Sequence, residues 1–339
     1  MSKAAAARRL AATAAYGGTG LGLLGGSLYG VLAAQATLAR RRIGNAEEAP
    51  PDPSGVYGAD SLRAPLRLAV LGDSGAAGYG AVHARETFGA FLATGLADLA
   101  GRPILMSCFA SVGAQTTDLL TQIPLALAGE PDVCAVIIGT NDVTHRVLPA
   151  HSVRALRLAV EQLRASGAEV VVGTCPDLGT IRPVSPPLRQ VARTWSRRLA
   201  AAQTIAVVEG GGRAVSLATI LGSEFSAAPL DMFGPDQFHP SPAGYESCAA
   251  AMLPSVAAAV GVIPADSLVP EPARGEGVLS LAEAAAMAAD SAGTEVSRAD
   301  VDSGVRRPRG GWAWLRHRRR HTIPAVDAIL EHEELGSQR

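Results

Sequence analysis

The chain has 339 residues, 48% hydrophobic and 18% charged, which supplies a sizeable core and excludes wholesale disorder. Its formal charge of −1 hides two basic flanks, six basic side chains in residues 1–42 and seven arginines in residues 306–321, with no acid in either. The stretch between them is therefore strongly acidic, which argues against a nucleic-acid-binding body.

A single lysine, Lys3, rules out a phosphate-binding G-x-x-x-x-G-K-[ST] loop. Cys108, Cys134, Cys175 and Cys248 form no C-x-x-C pair and mostly sit in apolar runs. They read as buried thiols rather than a zinc site or a disulfide frame.

Residues 1–9 are a short basic N-terminus. The uncharged run Leu10 to Ala39 that follows exceeds the apolar core of a signal peptide and is long enough for a membrane span. Residues 10–39 are therefore expected to be a single-pass transmembrane helix. Secretion after cleavage near Ala34-Gln35-Ala36 is the alternative. Lys3, Arg8 and Arg9 on one side balance Arg40, Arg41 and Arg42 on the other, so the positive-inside rule leaves the orientation open. Gly18, Gly22, Gly26 and Gly30 share one helical face, a tandem G-x-x-x-G suited to homo-oligomer formation in lipid. Gly20-x-Gly22-x-x-Gly25 matches a dinucleotide fingerprint, but no strand precedes it and the match is discarded. Residues 40–65 are expected to be a linker, Pro- and Gly-rich beyond Glu47.

From 66 to 260 short apolar runs alternate with helical patterns. Strands are expected at Leu66–Leu71, Ile104–Phe109, Val133–Ile138, Val170–Gly173 and Val215–Leu217. Helices are expected over Arg85–Leu99, Thr117–Leu127, Ser152–Ala165, Pro187–Val208 and Ala243–Val260. Continuous apolar runs of strand length, separated by helices, imply an α/β fold: three α/β/α layers, doubly wound around a mainly parallel five-stranded sheet. Residues 261–339 are expected to be a low-order tail, with one short helix over Leu281–Ala289. The tail's basic segment carries Trp312 and Trp314, a composition suited to an anionic membrane surface.

In open parallel sheets ligands bind beyond the carboxyl ends of the strands. The residues there are Gly72-Asp73-Ser74-Gly75, Ala110-Ser111-Val112-Gly113-Ala114 and Gly139-Thr140-Asn141-Asp142, with Asp236-Gln237-Phe238-His239-Pro240 ahead of the last helix. Together they make a set for acyl transfer. A serine hydroxyl needs a base, and imidazole changes charge near neutrality. Asp236, three residues before His239, can fix its tautomer. The backbone N–H groups of Ser74 and Gly113 and the amide of Asn141 are the candidate oxyanion donors.

These four blocks, in this order, resemble those of the SGNH hydrolases, the GDSL lipase and esterase family. Ser74, Gly113, Asn141 and His239 match the four namesake residues, and Asp236 the aspartate of its D-x-x-H block. The resemblance covers Leu66 to Val260. Gly75 stands where the first block has Leu, and the second block is reduced to Gly113. It implies a flavodoxin-like domain working on small-molecule or lipid esters without metal or cofactor. Acyl transfer to an alcohol through the same triad and an inactive membrane scaffold are the alternative functions. Asp73 and Asp142 are expected to organise their loops. Tyr79 and His83 are candidates for the pocket wall, and His145 is expected to be a solvated loop residue. Asp231 is the reserve acid.

Overall fold

The computed structural model describes residues 28–44, 49–59, 62–217, 220, 232–264 and 281–297. Residues 28–43 are helical (α1). Seven strands follow: β1 (Gly55–Tyr57), β2 (Leu66–Gly72), β3 (Ile104–Cys108), β4 (Val133–Ile137), β5 (Glu169–Gly173), β6 (Arg213–Val215) and β7 (Glu295–Val296). They form one sheet in the order β1-β3-β2-β4-β5-β6-β7. The inner five are parallel. The order along them, second-first-third-fourth-fifth, is the flavodoxin-like winding, which opens a crevice beyond the carboxyl ends of β2 and β4.

The helices are α2 (Ser74–Ala77), α3 (Phe88–Ala100), α4 (Leu119–Leu127), α5 (Thr140–Thr144), α6 (Pro149–Ala165), α7 (Leu188–Glu209), α8 (Pro242–Ala259) and α9 (Leu281–Ala288). Strand side chains alternate between faces, and here both faces are buried. Leu68, Val70, Val133, Ala135 and Val171 pack with α3 and α8. Ala69, Leu71, Cys134, Val136 and Val172 pack with α4, α6 and α7. That is why each strand reads as an unbroken apolar run.

The sheet exceeds the expected one at both edges. β1 lies inside the expected linker 40–65 and pairs antiparallel with β3, while β7 lies inside the expected tail 261–339 and pairs antiparallel with β6. The fifth parallel strand is Arg213–Val215, two residues earlier than its apolar pattern suggested.

Of the expected span 10–39, residues 28–39 are described, and they dock on the domain. Ala39 is buried against the domain, and the Gln35 side chain is hydrogen-bonded to Pro186 and Leu188. Among the described residues no helix is long and apolar enough to cross a membrane. Residues 10–27, with Gly18, Gly22 and Gly26, lie outside the described residues, as do Asp231, Trp312 and Trp314. Gly30 is described, and nothing packs beside it within 4 Å.

Candidate active site

Ser74 opens α2 directly after β2. The turn between them needs glycine: Gly72 has φ +135°, and a Cβ there would stand 1.9 Å from the Ile137 carbonyl oxygen of β4. Asp73 caps α2, its Oδ1 accepting the Gly75 N–H at 2.9 Å. As the first helical residue, Ser74 has no intrahelical acceptor for its own N–H.

His239 comes from the loop before α8. The Asp236 Oδ1 accepts the N–H groups of Phe238 and His239, both at 3.0 Å, and so closes the turn that presents the ring. The other carboxylate oxygen accepts the imidazole Nδ1–H at 2.6 Å. With that proton on Nδ1, Nε2 is left as acceptor for the Ser74 hydroxyl, 3.1 Å away. Tyr79 and Phe238 meet the imidazole edge-on, with ring centroids at 4.4 Å and 4.9 Å, and hold its plane. Burial works to raise the Asp236 pKa. Hydrogen bonds from the His239 ring and from the Phe238 and His239 backbones outweigh it and hold the carboxyl below its usual value. The three side chains thus make a continuous chain from hydroxyl to carboxylate.

Gly113 and Asn141 follow β3 and β4, the strands on either side of β2, and their loops meet. The Asn141 Nδ2 donates to the Ala114 carbonyl at 3.0 Å, which leaves its second N–H for another acceptor. The Ser111 N–H donates to the Gly72 carbonyl at 3.0 Å and ties the same loop to the Ser74 turn. Gly113 has φ +81° with open space where a Cβ would go, so its left-handed backbone, not crowding, demands glycine. Asp142 is buried. It accepts from the Thr116 N–H and hydroxyl at 3.0 Å each and from the Ser152 hydroxyl at 2.5 Å, locking α5, the 113–116 loop and α6 together. Asp73 and Asp142 therefore organise loops, as expected from their positions.

An apolar cleft opens beside Ser74, walled by Ile137, Leu178, Ile181, Leu217 and Tyr245 among others. Asp73 also reaches it. This carboxyl is buried, its Oδ2 meets no hydrogen-bond partner, and burial pushes its pKa up to about 7. Tyr79 touches the imidazole rather than the cleft, His83 is exposed, and the exposed His145 donates from Nδ1 to the Asn141 carbonyl at 2.9 Å. Burial raises all four thiols, Cys108 to about 11, Cys134 and Cys248 to about 12 and Cys175 well above its ordinary value, so none is a ready thiolate.

Two supporting residues escaped sequence reading. Gln122, on the buried face of α4, accepts the Gly72 N–H at 2.8 Å and donates to the Gly72 carbonyl at 2.9 Å. Gln203, on the buried face of α7, accepts the Cys175 N–H at 2.7 Å and donates to the Ile138 carbonyl at 2.9 Å. The signal was present, a lone amide on each buried helical face, but such a residue does not announce its partner.

Residues 70–247 match the family described as GDSL-like Lipase/Acylhydrolase. The chain is 39% identical over 247 residues to the GDSL-like esterase Rv1075c of Mycobacterium tuberculosis, covering 70% of this chain and 78% of that one. Among solved structures it is similar to LAE5, from the metagenome of Lake Arreo, at 20% identity and TM-score 0.47, covering 59% of this chain and 97% of that one. It is also similar to Axe2, an acetylxylan esterase from Geobacillus stearothermophilus, at 18% identity and TM-score 0.44, covering 58% and 94%. The matched span holds the whole Ser74, Gly113, Asn141 and Asp236-x-x-His239 constellation at the mouth of the doubly wound sheet, and with it the chain belongs to the GDSL-like lipase/acylhydrolase family of esterase-type hydrolases.

Proposed function

We propose that this chain is a serine esterase that cleaves carboxylic esters through an acyl-enzyme. The observation that carries the reading is the unbroken chain from Ser74 Oγ to His239 Nε2 at 3.1 Å and from His239 Nδ1 to Asp236 at 2.6 Å. Ser74 Oγ attacks the ester carbonyl while His239 Nε2 takes its proton. The carbonyl oxygen, now an oxyanion, accepts from the N–H groups of Ser74 and Gly113 and the free N–H of Asn141. His239 then protonates the departing alkoxide, which leaves as the alcohol and frees the acyl-enzyme. Water attacks that ester in turn, giving its proton to His239, and Ser74 is regenerated as the acid leaves. The scheme calls on no metal or cofactor. Asp236 stays ionised because its carboxyl is held low, so it balances the imidazolium that forms in each half-reaction. The apolar wall beside Ser74 favours esters with a hydrocarbon group on at least one side.

The test is labelling of the whole protein by a fluorophosphonate, alongside turnover of an ester series of increasing acyl length. Ser74→Ala should lose labelling and at least ~10³-fold in kcat while keeping its unfolding transition. Labelling or turnover near that of the parent chain would remove Ser74 as nucleophile.

A further inference from the structure

Helix α1 lies on the domain beside the cleft and is held at two places. Gln35 Nε2 donates to the Pro186 carbonyl at 2.6 Å, and Gln35 Oε1 accepts the Leu188 N–H at 3.1 Å. Arg40 donates to the Thr144 carbonyl at 3.3 Å, and the Arg146 guanidinium stands 6.0 Å from the Tyr29 ring centroid. Both anchor points continue elements that wall the cleft. Thr144 ends α5, which begins at the cleft residue Thr140, and Pro186 lies five residues past the cleft residue Ile181.

The face of α1 turned to the domain runs through Leu32, Gln35, Ala36, Ala39 and Ile43 at helical spacing. An exposed side about 120° round the helix, at 3.6 residues per turn, runs through Val31, Ala34 and Leu38. A surface helix with one face packed ordinarily turns polar residues outward. Here Val31 and Leu38 are 47% and 46% exposed, and Leu28, at the helix start, is 52% exposed. One turn further on, the same side ends in the exposed Arg41 and Arg42. Leu148, two residues past Arg146, adds another exposed apolar side chain at 64%.

An apolar ladder closed by arginines fits an anionic lipid surface, with the side chains in the acyl boundary and the guanidinium groups at the phosphates. A second copy of this face fits less well, because α1 itself holds no Asp or Glu to meet Arg41 and Arg42. The uncharged sequence of residues 10–27 runs directly into the same helix. We propose that α1 is an interfacial strap that seats the domain on an anionic bilayer, with the cleft opening beside the lipid. Delivery of membrane-dissolved esters to Ser74 rests in addition on the esterase reading above.

The test uses the full chain with Cys108→Ser, carrying a nitroxide at Leu38→Cys or, at the opposite end of the sheet, at Glu130→Cys. In vesicles of phosphatidylcholine and phosphatidylglycerol, the label at 38 should favour collision with oxygen over a water-soluble nickel chelate, and the label at 130 the reverse. Preference for the chelate at both positions would overturn the proposal even if the protein pellets with the vesicles. Dipolar broadening at position 38 without lipid would also overturn it, by identifying a second copy as the occupant. The pair Val31→Glu and Leu38→Glu should leave turnover of a water-soluble ester unchanged and lower turnover of a vesicle-borne ester about tenfold. Equal turnover of both esters would count against the seat. Loss of all turnover in the parent chain would strike the esterase reading and leave the label result standing.

Discussion

Asn141 and Asp73 follow the adjacent strands β4 and β2 and bear on different properties, one on rate and the other on stability. Asn141 keeps one amide hydrogen on Ala114, and in the proposed mechanism the other meets the developing oxyanion. Asn141→Ala should therefore lower kcat by ~10²–10³-fold with a much smaller change in KM; steady-state kinetics on one soluble ester decide it, and a pure KM effect would move Asn141 to ground-state binding. Asp73 carries a cost instead. Burial holds its proton up to about pH 7, whereas an unfolded carboxyl releases it near 3.8. Between about pH 4 and 7 the folded state binds the extra proton, so stability falls as pH rises through that window, by at most about 4 kcal/mol. Asp73→Asn mimics the protonated acid and carries no such titration. Its stability relative to the parent should improve from pH 5 to pH 8, as read from denaturant melts. A difference independent of pH would show that Asp73 does not titrate in this range.

The blocks at Ser74, Gly113 and Asn141 were legible because each follows an apolar run of strand length, and the Asp236-x-x-His239 block because it precedes the last helix, all in one order. The elements that hold those blocks were less legible. Gln122 and Gln203 are each the lone amide on a buried helical face and clamp backbone at the ends of three strands. A Cβ on Gly139 would stand 2.7 Å from the Gln203 amide, so this clamp sets the path of the chain into α5 and Asn141. Gln203→Leu keeps the volume but strands a buried N–H and a buried carbonyl, a loss of about 1–3 kcal/mol. It should lower the unfolding midpoint and reduce kcat more than it raises KM. An unchanged kcat in a destabilised but folded variant would confine Gln203 to a structural role. The docking of residues 28–39 on the domain was illegible for a related reason: with no charge between Leu10 and Ala39, hydropathy does not separate a helix packed on protein from one in lipid.

At the scale of the whole molecule, the sequence suggested a domain closing near Val260, and the family match stops at 247. The sheet closes later. The strand β7 that covers its edge is only Glu295–Val296, too short to stand out in sequence. Glu295 is a buried carboxylate paired with Arg213 of β6 at 2.9 Å and hydrogen-bonded by Ser255 of α8. It therefore cross-links the sheet edge to the helix that follows His239. Helix α9 adds buried Ala285 and Ala288, and Asp290 pairs with Arg197 of α7 at 2.8 Å. Ending the chain at residue 264 removes all of this. It exposes apolar surface worth about 2–4 kcal/mol and leaves Arg213 without its carboxylate, although every candidate catalytic residue is retained. Compared with a chain ending at residue 297, the shorter one should unfold at lower denaturant. Activity should fade on mild heating before it does in the longer chain, because α8 holds the loop bearing His239. Equal midpoints would make β7 an ornament of the edge, whereas a lower midpoint with parental activity at low temperature would assign residues 281–297 to the fold and the Ser74 to Asp236 chain to the chemistry.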